Sequence, residues 1–195
     1  MSTSSRRKAA YHHGKLSPAL LRAAADILEK QGLEAVTFRE LTRRAGVSHN
    51  APYRHFKDRD ALLATLAADG FRALGKELEG KRGNQMGEAY VRFSLAHPAR
   101  FRLMFGGGLR LDEHPELREA SGSAHEVLLQ AFRARPEVPD PQVAAAAAWS
   151  LVHGLANLLL DGHFERATRR GAEIESFVKR VLGGVRFAGA VQRSA

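Results

Sequence analysis

The stretch LTRRAGVSHNAPYRHF, residues 41–56, decides how this chain is read. Leu41 and Ala45 are four apart, as on one face of a helix. Gly46 then supplies the left-handed residue that commonly ends a helix, and Val47 after it suits a buried plug. Ser48 can cap a second helix running to about Phe56. Two helices joined by a short turn containing glycine form a helix-turn-helix pattern. Pro52 is the discordant residue. Its missing N–H and its ring loosen the first turn, so that the helix starts near Ala51 and leaves His49 and Asn50 on the turn.

The flanks supply the partner helices. Ser17 before Pro18 reads as an N-cap with proline at the first helical position. Leu20, Leu21, Ala24, Ile27 and Leu28 recur at helical spacing as far as Gly32. TFRE, residues 37–40, reads as a capping box in which Thr37 caps and Glu40 reaches back. Asp58 caps a longer helix with Leu62, Leu63, Leu66, Phe71, Leu74 and Leu78, ending at Gly80 and Gly83. Further on come a helix over 84–96 stopped by Pro98, a short one over PARFRLMF, and one from Pro115 to about Arg135. Asp140-Pro141 opens QVAAAAAWSLVHGLANLLL, a helix apolar almost all round and so expected to be buried on most faces. A last helix covers about 172–188. The fold class is all-α, with about nine helices.

Composition narrows the function. Net charge is +9, and residues 1–59 hold twelve Lys/Arg against five Asp/Glu. A basic first third on a nearly neutral body fits an anionic partner, nucleic acid above all. There is no cysteine, so disulfides and Cys-ligated zinc are excluded. His49 and His55 are six residues apart and diverge by about 120° on a helix, at ~100° per residue. Neither a metal nor a cofactor is expected. No apolar run approaches the ~20 residues of a membrane span, and no secretory h-region opens the chain, so a cytoplasmic protein is expected.

Residues 19–66, ALLRAAADILEKQGLEAVTFRELTRRAGVSHNAPYRHFKDRDALLATL, resemble the DNA-binding domain of the tetracycline-repressor (TetR/AcrR) family of bacterial transcriptional regulators. HPARFRLMF and AWSLVHGLANLLLDG, with Trp149, His153 and Gly154, resemble the ligand-binding region of one subgroup, named for Trp-His-Gly. The leucine common in the family at position 52 is replaced here by Pro52. The resemblance implies a homodimer on a palindromic double-stranded operator, paired through its last two helices and responsive to a small molecule. It divides the chain into a basic arm over 1–16, a DNA-binding domain over 17–58 and a ligand-binding and dimerisation body over 59–195.

The site residues follow from both readings. Ser48, His49, Asn50 and Arg54 face the groove, where Asn pairs with adenine and Arg with guanine. Tyr53 and His55 match family positions that hold phosphates. Thr37 and Arg59 lie at helix N-termini, which favour anions, and Lys57 lies beside them. Arg6, Arg7, Lys8, Tyr11, His12 and His13 form the arm. In the body, Phe71, Phe93, Phe101, Met104 and Phe105 offer apolar lining, with His125 as a polar anchor. Trp149, His153 and Asn157 share one helix face as further anchors. Two alternatives are weighed: a DNA-binding protein without ligand, and an all-α enzyme, which is not expected because Ser150 beside His153 lacks an evident carboxylate partner.

Overall fold

The computed structural model describes residues 5–106, 108–164 and 171–184, with the side chains of 18–106, 108–164 and 173–184. The side chains of the basic arm, and Val185 and Phe187 of the last expected helix, lie outside these. Among the described residues there are eight α-helices, two 3-10 turns and no strand. The eight are α1 (Ser5–Gln31), α2 (Phe38–Ala45), α3 (Arg59–Leu78), α4 (Asn84–Ala96), α5 (Pro98–Phe105), α6 (Pro115–Arg133), α7 (Pro141–Leu160) and α8 (Gly171–Gly184). The ninth expected helix, across 48–56, is absent; a 3-10 turn, Pro52–Arg54, takes its place.

Contacts divide the chain into two compact units: Met1–Gly70 with Ala99–Arg118, and Phe71–Pro98 with Glu119–Ala195. In the first unit, Leu20, Ala24, Ile27 and Leu28 of α1 are buried, and α1 packs on α2. Val36, Leu41 and Leu62 join this core, all with no exposed surface. Each such aliphatic side chain contributes about 1.5–3 kcal/mol when removed from water. Helix α1 corrects the expected start at Pro18, because it runs through that proline from Ser5. Arg6–Ala10 are good helix formers, and Pro18 forfeits a single backbone bond to residue 14.

In the second unit, α4 packs against α7 and α8. Gly87 permits the close approach: a Cβ there would lie 2.9 Å from Leu182 Cδ1 and 3.2 Å from Val152 Cγ1. Asp140 caps α7 as expected, accepting from the N–H groups of Gln142 (2.9 Å) and Val143 (3.1 Å). Two expectations about α7 need correction. It is long and apolar enough, by length and composition, to cross a membrane. Nor is it buried on most faces, since Val143, Ala146, Ala147, Ser150 and Leu158 are exposed along one side. Alanine drives both departures. Ala144–Ala148 raise the hydropathy of the helix while burying little surface on any one face.

Candidate nucleic-acid interface

The exposed end of the first unit is assembled by local backbone chemistry. Thr37 is extended (φ −123°, ψ 154°), and its Oγ1 accepts the Glu40 N–H at 3.2 Å, capping α2. The second half of the expected capping box does not form. Thr37 N–H already donates to the Ala35 carbonyl at 2.9 Å, and the Glu40 carboxylate accepts two bonds from Arg43 at 2.6 and 2.7 Å. Gly46 is left-handed (φ 64°, ψ 34°), which only glycine adopts without cost, and it turns the chain out of α2. Val47 is half-buried, a weaker plug than expected; Thr42 is the buried residue beside Leu41.

Pro52 explains the missing helix. An α-helix from Ser48 would bond the Ser48 carbonyl to the N–H of residue 52, which proline lacks. That carbonyl instead takes the Ala51 N–H at 2.9 Å, one residue early. The Pro52 carbonyl then accepts from both His55 and Phe56, each at 2.9 Å, and the helical path stops. Pro52 is less than 2% exposed and Phe56 5%, so the turn is anchored from below. Above it Ser48, His49, Asn50, Tyr53, Arg54 and Lys57 are exposed. His49 and Asn50 lie on the turn. The Tyr53 ring stands against Phe38 of α2, and the His49 ring centroid lies 6.1 Å from it. His55 departs from an outward-facing ring: it is half-buried, and its Nε2 is enclosed with no hydrogen-bond partner among the described residues.

Helix α3 closes the interface. Asp58 Oδ1 accepts the Ala61 N–H at 2.8 Å, as its capping role requires. Arg59 is half-buried. Its Nε donates to the Val36 carbonyl at 2.8 Å and one terminal nitrogen to the Leu33 carbonyl at 2.7 Å. Arg44 on α2 lies 3.6 Å from Asp26 of α1.

The second unit holds a separate polar cluster. Tyr90 of α4, 5% exposed, lies between two side chains of α7. Trp149 Nε1–H donates to its oxygen at 3.2 Å, and His153 Nδ1 is 2.9 Å away. The pairing that uses every hydrogen has the Tyr90 O–H donating to Nδ1, with the imidazole proton on Nε2. Burial pushes the Tyr90 phenol above its usual value and His153 below its own. Asn157 Nδ2 donates to the His153 carbonyl at 2.9 Å. His125 is exposed, its ring 5.7 Å from that of Trp149.

Of the nine expected pocket residues, the structure gathers His125, Trp149, His153 and Asn157. Phe71 and Phe93 are buried core of the same unit, while Phe101, Met104 and Phe105 belong to the first unit. Tyr90 does not stand out in the sequence because it sits among core residues at ordinary helical spacing. Ser150 Oγ–H donates to the Ala146 carbonyl at 2.8 Å, so its proton goes to helix backbone rather than to His153.

Comparisons with known proteins fit this geometry. Residues 20–66 match the family model for bacterial regulatory proteins of the tetR family. Residues 84–183 match that for the tetracyclin repressor-like C-terminal domain. An uncharacterized HTH-type transcriptional regulator of Mycobacterium bovis is 31% identical over 122 residues, 60% of this chain and 62% of that protein. The chain thus spans less than two thirds of that relative's length. The class A tetracycline repressor of Escherichia coli transposon 1721 is 44% identical over 54 residues, 27% of this chain and 25% of the repressor. Among solved structures, a protein with unknown function from Rhodococcus sp. RHA1 superposes with a TM-score of 0.73 at 30% identity. That match covers 90% of this chain and 97% of the other. The TetR family regulator PfmR of Thermus thermophilus shares the fold, with a TM-score of 0.57 at 23% identity over 86% and 98% of the two chains.

Proposed function

The chain belongs to the tetR family of bacterial regulatory proteins, and from that premise we propose that it is a ligand-responsive repressor of transcription. In this reading a dimer grips a palindromic operator in the cytoplasm and releases it when a small, largely apolar molecule binds the C-terminal body. The observation that carries it is the exposed set Ser48, His49, Asn50, Tyr53, Arg54 and Lys57, held on a turn whose underside is buried Pro52 and Phe56. Arg54 and Asn50 carry planar groups suited to guanine and adenine edges. Tyr53, Lys57 and the α2 N-terminus at Thr37 hold phosphates. His55 contributes through Nδ1, since Nε2 is enclosed. The basic residues of the first sixteen, helical and continuous with α1 from Ser5 onward, add to the attraction for the duplex.

The exposed apolar face of α7 supports pairing with a second copy, and the small side chains of Ala146 and Ala147 suit a close helix approach. Trp149, more than a third exposed though its N–H is engaged, offers an aromatic face beside His125 for an effector. Selection from random duplexes, with titration of the recovered sequence over a salt series, tests the proposal. A palindrome is expected, with affinity falling steeply as salt rises. Recovery of no palindromic preference would overturn it.

A further inference from the structure

We infer that Arg59 is a positioning residue that sets the DNA-contacting edge of α2, and is not itself a phosphate contact. The inference rests on the DNA-binding reading above but is carried by a separate observation. A guanidinium presents its donors in a rigid planar fork. Two arms of that fork are taken up by the carbonyls of Val36 and Leu33, at 2.8 and 2.7 Å, which lie 23 and 26 residues back in the chain. Val36 is completely buried, and the peptide that leaves its carbonyl enters Thr37 directly.

Holding that peptide in place orients the start of α2. Thr37 is the N-cap, its Oγ1 bonded to Glu40 N–H and its carbonyl to Leu41 N–H. Phe38 is the first residue of α2 and carries the ring against which Tyr53 stands. Arg59 thus acts through the 36–37 peptide on Thr37, and through Phe38 on Tyr53. Lysine holds the two carbonyls less rigidly, because its ammonium is a compact charge on a flexible stem without the planar fork.

The test compares wild type, Arg59→Lys, Arg59→Ala and Lys57→Ala in two measurements. The first is amide hydrogen exchange of the full chain without DNA. In Arg59→Lys the Glu40 and Leu41 amides are expected to exchange at least tenfold faster, while amides in the middle of α3 keep their rates. Unchanged exchange at Glu40 and Leu41, or uniform acceleration along the chain, overturns the inference whether or not the protein binds DNA. The second is affinity for the selected operator over a salt series. Both Arg59 variants are expected to lose about tenfold with the salt slope intact, whereas Lys57→Ala lowers that slope by about 1. An Arg59→Lys protein that binds like wild type, or an Arg59→Ala protein whose slope falls by about 1, makes Arg59 a phosphate contact and overturns the inference. Failure of wild type to bind any duplex sinks the regulator reading instead, and the exchange result still decides the positioning role.

Discussion

Tyr53 meets Phe38 edge to face, with ring centroids 4.8 Å apart and planes at 89°. This T-shaped pair joins α2 to the 3-10 turn across the sharp bend at Gly46. Its hydroxyl end is free to face outward, because Tyr53 is 53% exposed. Aromatic pairs of this geometry contribute about 0.5–1.5 kcal/mol beyond burial. Replacing Phe38 with leucine keeps an apolar contact but removes the edge-to-face interaction. Affinity is expected to fall two- to tenfold for the operator and for its base-substituted variants alike. An effect confined to particular base pairs would assign Tyr53 to base reading rather than to the backbone.

Pro52→Ala restores the N–H that the Ser48 carbonyl lacks. The expected outcome is a protected amide at residue 52 and a gain of helical signal across 49–55, read by hydrogen exchange and circular dichroism. His49 and Asn50 would then move from turn to helix. Operator selection with the variant should return altered preferences at the bases they face, with an unchanged salt slope. An unprotected amide at 52 would show that something besides the missing donor halts the helix.

Tyr90→Phe removes the oxygen that accepts from the Trp149 N–H and the hydrogen bond to His153 Nδ1. A hydrogen bond of this kind contributes about 0.5–1.5 kcal/mol, and thermal unfolding should show a loss of that order.

His153 also gives a pH signature. Burial lowers its folded pKa below the ordinary 6.5, so the unfolded chain protonates first as pH falls. Stability is therefore complete above about pH 6.5 and declines as pH drops toward the folded value. Between pH 7 and 5.5 the wild-type unfolding midpoint should fall more than that of His153→Gln. Parallel curves for the two proteins would remove His153 from the account.

Ala147→Glu places a charge in the middle of the exposed apolar face of α7. Light scattering is expected to show a dimer for wild type and a monomer for the variant, and binding to a full palindrome should fall to the level of a half-site. A dimeric Ala147→Glu protein would move the pairing surface elsewhere.

The legible part of this sequence is mostly chemistry between near neighbours. Thr37, Gly46, Asp58 and Asp140 each perform the terminal role that their type and spacing announce. The two prolines mislead in opposite directions. Pro18 reads as a helix start, yet good helix formers before it carry α1 through. Pro52 reads as a loosening of one turn, yet losing its donor at that point removes the α-helix altogether. Arg59 and Tyr90 are illegible for another reason. Their partners lie 23 to 63 residues away, and no local pattern records a bond across that distance.

The 3-10 turn that replaces the expected helix also limits how much sequence the protein can read. Three residues at a rise of about 2.0 Å span about 6 Å. Stacked bases are about 3.4 Å apart, so this element by itself spans only about two base pairs. On the reading proposed above, discrimination would then rest also on a ruler: the separation and helical phase of two half-sites, set by the body that joins them, beside the letters within each.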